Sequence, residues 1–220
     1  MKNLRALLRL EQSFITTYWK YVLLFLGIAI VMGVSMRSGI NFIFTSMIFV
    51  SVLTLFAFEF TDKSNLNVLY GTLPTNRKSI VTARYSFMVI LLFIGGLIAL
   101  LGGVIIQLAF NQRVAVTDTF AVLAMSIGVY LVFTAWNTPF LFKFGYQKGR
   151  VFFWVFMIVF MIVFNLQGLL SAVGVSINFN VFTIAFGNVV KTGLIALGIG
   201  VAVFIASFFI SQRIYKKKDF

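Results

Sequence analysis

The sequence predicts an all-α membrane protein: six transmembrane helices with the N- and C-termini cytoplasmic, an N-terminal amphipathic interfacial helix, and a short cytoplasmic helix between the second and third spans. Three observations predict it. Of the 220 residues, 61% are hydrophobic and 10% charged, an apolar share above the roughly 45–50% of soluble domains, and one core of this size could not hide so much apolar surface. The apolar residues gather into runs long enough for spans of about 20 residues. The basic residues sort by alternate loops.

The runs cover Tyr18–Met36, Ile40–Phe60, Tyr85–Phe110, Thr119–Trp136, Val151–Gln167 and Thr192–Ile210. Only Arg37-Ser-Gly39 joins the first two, which predicts a tight helical hairpin. Gly168–Val190 is apolar but interrupted by Ser171, Gly174, Ser176, Asn178, Asn180 and Gly187, so it is expected to be an outer loop, re-entrant or interfacial, rather than a seventh span. The chain 1–220 reads as a single transmembrane domain.

Of the 18 Lys and Arg, all but Arg37, Arg113 and Lys191 fall in the N-terminal segment, after span two, after span four, or in the C-terminal tail. That is the distribution the positive-inside rule gives to six spans with both ends in the cytoplasm. The formal charge of +13, which in a soluble protein would suggest nucleic acid, therefore belongs to the cytoplasmic membrane face. No nucleic-acid partner is expected, and the lipid bilayer is.

In residues 1–17, Leu4, Leu7 and Leu8 recur at helical spacing while Arg5, Arg9 and Gln12 lie elsewhere on the turn, and Tyr18, Trp19 and Tyr21 mark the headgroup level. That pattern fits an amphipathic helix lying in the interface; a solvated basic tail is the plainer alternative. The long basic region and the lack of a small-x-small site after Met36 favour an uncleaved first span over a secretory signal.

Catalytic chemistry has little to work with. The sequence has no Cys and no His, which removes thiolate nucleophiles, imidazole acid–base chemistry and nearly all zinc or haem ligation. Glu59 and Asp62 are the only carboxylates within one helical turn of each other, and they lie beside a basic loop. The nearest string to a phosphate loop, Gly187-Asn-Val-Val-Lys-Thr-Gly193, lacks the second Gly and the Lys-Ser/Thr at the required positions. The expectation is no enzyme, with no catalytic, cofactor-binding or metal residue on this chain.

The informative stretch is Glu59 to Tyr85. Leu66, Leu69, Tyr70 and Leu73 fall at i, i+3, i+4 and i+7, one face of a short helix. Asp62 or Ser64 can cap its start, and Pro74 stops it at Leu73. Two turns do not hold themselves in water, so the apolar face needs a surface: the bilayer, the protein's own helices, or a cytoplasmic partner.

Glu59, then Tyr70-Gly-Thr-Leu73-Pro74, then Arg77-Lys-Ser-Ile80-Val81 and Arg84-Tyr85, with Pro139-Phe-Leu-Phe-Lys143-Phe144-Gly145, Lys148-Gly-Arg150 and a closing Ile214-Tyr-Lys-Lys-Lys218, together resemble the small six-helix branch of the ABC-2-type exporter permeases. Gly71-Thr72 departs from the pattern, which often has Ser before Leu-Pro. The resemblance implies a permease subunit working as a homodimer or heterodimer with a separate ABC-type ATPase, on which ATP and magnesium would sit. It implies that Leu66, Leu69, Tyr70, Leu73 and Pro74 form a coupling knob for that ATPase, with Arg77 beside it. Glu59 and Asp62 are read as loop caps or ion-pair partners of Lys63 or Arg84.

Within the spans, Gly198, Ala202 and Ala206 form one small-residue row on span six and Ala196 and Gly200 another. Such rows suit close helix packing, within the chain or between subunits. Span five is Phe-rich around nearly its whole circumference, which suits lipid or general packing. Sparse polar groups and the lack of intramembrane charge disfavour a proton-driven transporter and suit hydrophobic or amphipathic cargo, peptides among them. The expected place is the cell membrane, multi-pass, and specifically a bacterial cytoplasmic membrane. The rival reading is a non-transporting scaffold or immunity protein that binds a partner.

Overall fold

The computed structural model describes residues 2–63, 77–112, 115–172 and 188–216, and within them five helices and no strand. These are α1 Lys2–Ser35, α2 Gly39–Lys63, α3 Arg77–Ala109, α4 Val116–Ala172 and α5 Val189–Lys216. All five are long and apolar enough to cross a membrane. On α3, Phe93, Leu97, Leu101, Ile105 and Leu108 are each more than half exposed, a stripe at helical spacing that suits lipid contact.

The α1–α2 hairpin is closed by its backbone. Arg37 takes φ 47°, its N–H bonds the carbonyl of Val34, and the N–H of Ser38 bonds that of Gly33. This crossed pair is the Schellman ending of a helix. Ser38 Oγ then accepts the N–H of Asn41 and caps α2. The same ending recurs at Asn111, φ 51°, after α3, and the Gln112 amide ties the two turns by donating to the Arg37 carbonyl.

The predicted fourth and fifth spans lie in the one run α4, which is interrupted at Gly145 (φ 74°, ψ 176°). In a straight helix Phe133 and Phe153 would stand about 30 Å apart; their ring centroids are 5.1 Å apart. Phe140 and Phe152 stack at 4.5 Å. So α4 doubles back at Gly145 as two antiparallel limbs. α1 is likewise broken, at Tyr18 (φ −105°, ψ 15°), at the boundary predicted between residues 1–17 and the first span. The expected loop 168–190 lies largely outside the described residues: α4 runs through Ala172, and α5 begins at Val189.

Glycines bring α4 and α5 together. Gly128 lies against the Ala196 backbone, Gly200 against Gly128, and Gly193 against the Ala121 carbonyl. The close packing inside the chain thus uses the row holding Ala196 and Gly200. Gly198 faces open space and Ala202 and Ala206 are exposed.

Below this seam lies a polar one. Pro139 sits inside the first limb of α4 and has no N–H to give to the carbonyl of Ala135, four residues earlier. Ser207 of α5 supplies the missing donor, its Oγ 2.7 Å from that carbonyl. Tyr85 of α3 bridges onward, its hydroxyl 2.8 Å from Ser207 Oγ and 2.9 Å from Ser211 Oγ. An unpaired carbonyl in an apolar interior costs about 1–3 kcal/mol. Ser207→Ala is therefore expected to destabilise by about that amount, and Pro139→Ala, which restores an N–H, to recover part of it in the double variant. Thermal unfolding of the four proteins in detergent checks the cycle; additive losses would contradict this pairing.

Candidate functional site

The last two turns of α2 carry the chain's clustered acidic groups to the end of the helix from which residues 64–76 depart. Apolar α2 packs Leu55 and Phe58 into a cluster with Ile80, Val81, Tyr85 and Phe142. The i, i+3, i+4 spacing then sets Glu59, Asp62 and Lys63 on neighbouring positions of one face. Glu59 Oε1 pairs with Lys63 Nζ at 2.5 Å.

Further bonds of these carboxylates cross to α4. Tyr146 follows Gly145 and opens the second limb. Its backbone N–H donates to Asp62 Oδ2 at 2.7 Å, and its hydroxyl donates to Glu59 Oε2 at 3.0 Å. The first N–H groups of a helix have no partner within it, and its N-terminus carries partial positive charge. A carboxylate from α2 thus caps a helix that begins 84 residues later in the chain. Gly145 makes the approach possible: its φ and ψ fall in a region that is essentially glycine's own.

Arg84 of α3 closes the third side. It is 3% exposed, donates to Thr61 Oγ1, and stands 4.4 Å over the Phe58 ring. A guanidinium stacked on an aromatic face keeps favourable electrostatics while shedding water. The Thr61 hydroxyl in turn donates a hydrogen bond to the Ala57 carbonyl at 3.0 Å. α2, α3 and the α4 reversal are therefore joined by polar contacts where residues 64–76 leave α2 and re-enter α3 at Arg77.

Of the residues singled out by sequence, Glu59 and Asp62 are brought together here. Leu66, Leu69, Tyr70, Leu73 and Pro74 lie outside the described residues, and Arg77 is placed as the first residue of α3. Gly198, Ala202 and Ala206 stand apart, on the outer face of α5. Sequence reasoning missed Tyr146. The available signal was the interval Gly145-Tyr-Gln-Lys-Gly149, a glycine-bounded polar break between two apolar runs.

Among the described residues no group of His, Cys, Asp and Glu could hold a metal ion, and the two carboxylates are taken up by Lys63, Tyr146 and the limb N-terminus. What the geometry does offer is mechanical: a bonded junction between the ends of the 64–76 segment and a helix reversal. In comparisons with known proteins, the family described as ABC-2 family transporter protein matches residues 8–216. No curated protein and no solved structure matches the chain.

Proposed function

The chain belongs to the ABC-2 family of transporter proteins, and from that premise we propose that it is the permease subunit of an ATP-driven exporter, energised through residues 64–76 by a separate ABC-type ATPase. The observation that carries the coupling is the junction at the base of that loop. A push on residues 64–76 acts on α2 through Lys63 and on α3 through Arg77, and the Asp62 and Glu59 bonds pass it to the reversal of α4.

In this reading Leu66, Leu69, Tyr70, Leu73 and Pro74 form the coupling helix that seats in the ATPase, with Arg77 at its edge. ATP and magnesium are held there and not on this chain. The doubling back of α4 supports six passes, since each limb then accounts for one span, and the basic residues of alternate loops suit cytoplasmic termini. The kink at Tyr18 suits an interfacial helix before the first pass. The open row Gly198, Ala202 and Ala206 suits a second permease subunit, because small residues let helix backbones approach. Arg84 apart, the buried polar groups among the described residues are hydroxyls and amides, which suits hydrophobic or amphipathic cargo, peptides included, better than ions.

The test is copurification. Tagged wild-type chain is expected to bring down a nucleotide-binding subunit from native membranes. Leu69→Asp with Tyr70→Ala is expected to lose it, because a charge in an apolar socket and a missing ring each remove an anchor. Full retention of the subunit and of ATP turnover by the double variant would defeat the coupling assignment. A scaffold or immunity protein would tolerate the same changes.

A further inference from the structure

We propose that Asp62 and the Gly145–Tyr146 reversal form a latch that sets the angle between the two limbs of α4, closed in the state seen here and released when the loop after α2 is displaced. This rests on the reading of residues 64–76 as the energised loop and adds to it a specific moving part.

The geometry has three components. The first is a joint: one residue, Gly145, carries the whole reversal, with helix on both sides. The second is a catch. Asp62 Oδ2 accepts the first N–H of the second limb, and a side chain at Gly145 would stand 3.5 Å from that same oxygen, so joint and catch are in contact. The third is a lever. Asp62 lies one residue before the end of α2 and two before the segment 64–76, so a rotation of the last turn of α2 moves its carboxylate directly. Glu59, one turn deeper, holds the Tyr146 hydroxyl and also Lys63, so it guides the ring while Asp62 holds the backbone.

Packing indicates which part moves. The first limb is pinned to α5 through Gly128 and Gly200 and to α3 through the Tyr130 hydroxyl, which donates to the Met88 carbonyl at 2.8 Å. The second limb meets the first through Phe152 stacked on Phe140 and Phe144, Phe153 edge-on to Phe133, and Gly149 against Leu141. The first limb is thus tied to two other helices, so opening the catch frees the second limb rather than the first.

Two measurements test the latch, and the lack of native cysteine makes the labelling clean. In the chain alone, reconstituted in lipid nanodiscs, Asp62→Ala is expected to raise hydrogen exchange at the Tyr146 amide about tenfold or more; an unchanged rate overturns the catch. In the complex with its ATPase, spin labels at Phe120→Cys and Val155→Cys, one on each limb, are expected to report a distance shift on trapping with ATP and vanadate. Asp62→Ala is expected to abolish the shift while ATP turnover continues. Tyr146→Pro should do the same, since it deletes the N–H at a helix-opening position that tolerates proline; it guards against a folding defect peculiar to Asp62→Ala. A wild-type shift in both variants, or no shift in the parent, overturns the proposal. Failure of any ATPase to associate would instead sink the permease reading, and the exchange experiment would still decide the catch.

Discussion

Gly128→Leu is expected to force α4 and α5 apart and to lower stability by about 3 kcal/mol or more, the upper range for overpacking. The reason is the kind of atom in the way. A Cβ at Gly128 would lie 2.4 Å from the Ala196 carbonyl oxygen and 2.9 Å from the Leu197 nitrogen. Both are backbone, so no rotamer change relieves the clash. Gly193→Leu meets the Ala121 carbonyl oxygen at 2.4 Å and should behave alike. Gly198→Leu is the control: that face has open space, so stability of the single chain should stay within about 0.5 kcal/mol, the usual range for exposed positions. Thermal unfolding in detergent compares the three. Equal losses at Gly128 and Gly198 would contradict the assignment of the two rows.

Gly145→Val is the second large effect. A β-branched residue at φ 74°, ψ 176° would hold a strained backbone costing about 1–3 kcal/mol, beside the carboxylate of Asp62. The reversal would relax by turning the second limb, which also breaks the Tyr146 N–H bond. A fall in unfolding temperature is expected, accompanied by faster exchange at the Tyr146 amide. A fall without faster exchange would mean that the strain is absorbed elsewhere.

Much of the fold was legible because a membrane imposes few periodicities. Runs such as Ile40–Phe60 announce themselves, and the Arg37-Ser-Gly39 turn between two runs leaves room for nothing but a hairpin. Other features were not legible, for physical reasons. Asn137 to Phe144 continue the helix past the apolar run that ends at Trp136, so composition marked the end of the span and not the end of the helix. The rows 196/200 and 198/202/206 have the same small-residue pattern, and only the position of α4 tells which faces inward.

The candidate site was half readable. Glu59 and Asp62 drew attention as rare carboxylates beside a basic loop, and local partners such as Lys63 are visible at i+4. Tyr146 is not, because a bond across 84 residues leaves no local trace. The role of Ser207 is hidden likewise: it follows from a proline 68 positions earlier on another helix.

The central claim is that residues 64–76 seat in an ATP-hydrolysing partner. A photo-crosslinking amino acid placed at Leu69, activated in native membranes, tests it most directly. The account predicts one dominant adduct to a phosphate-loop ATPase, weakened when Tyr70 is also replaced by Ala. Adducts only to lipid, or only to a second copy of this chain, would contradict it.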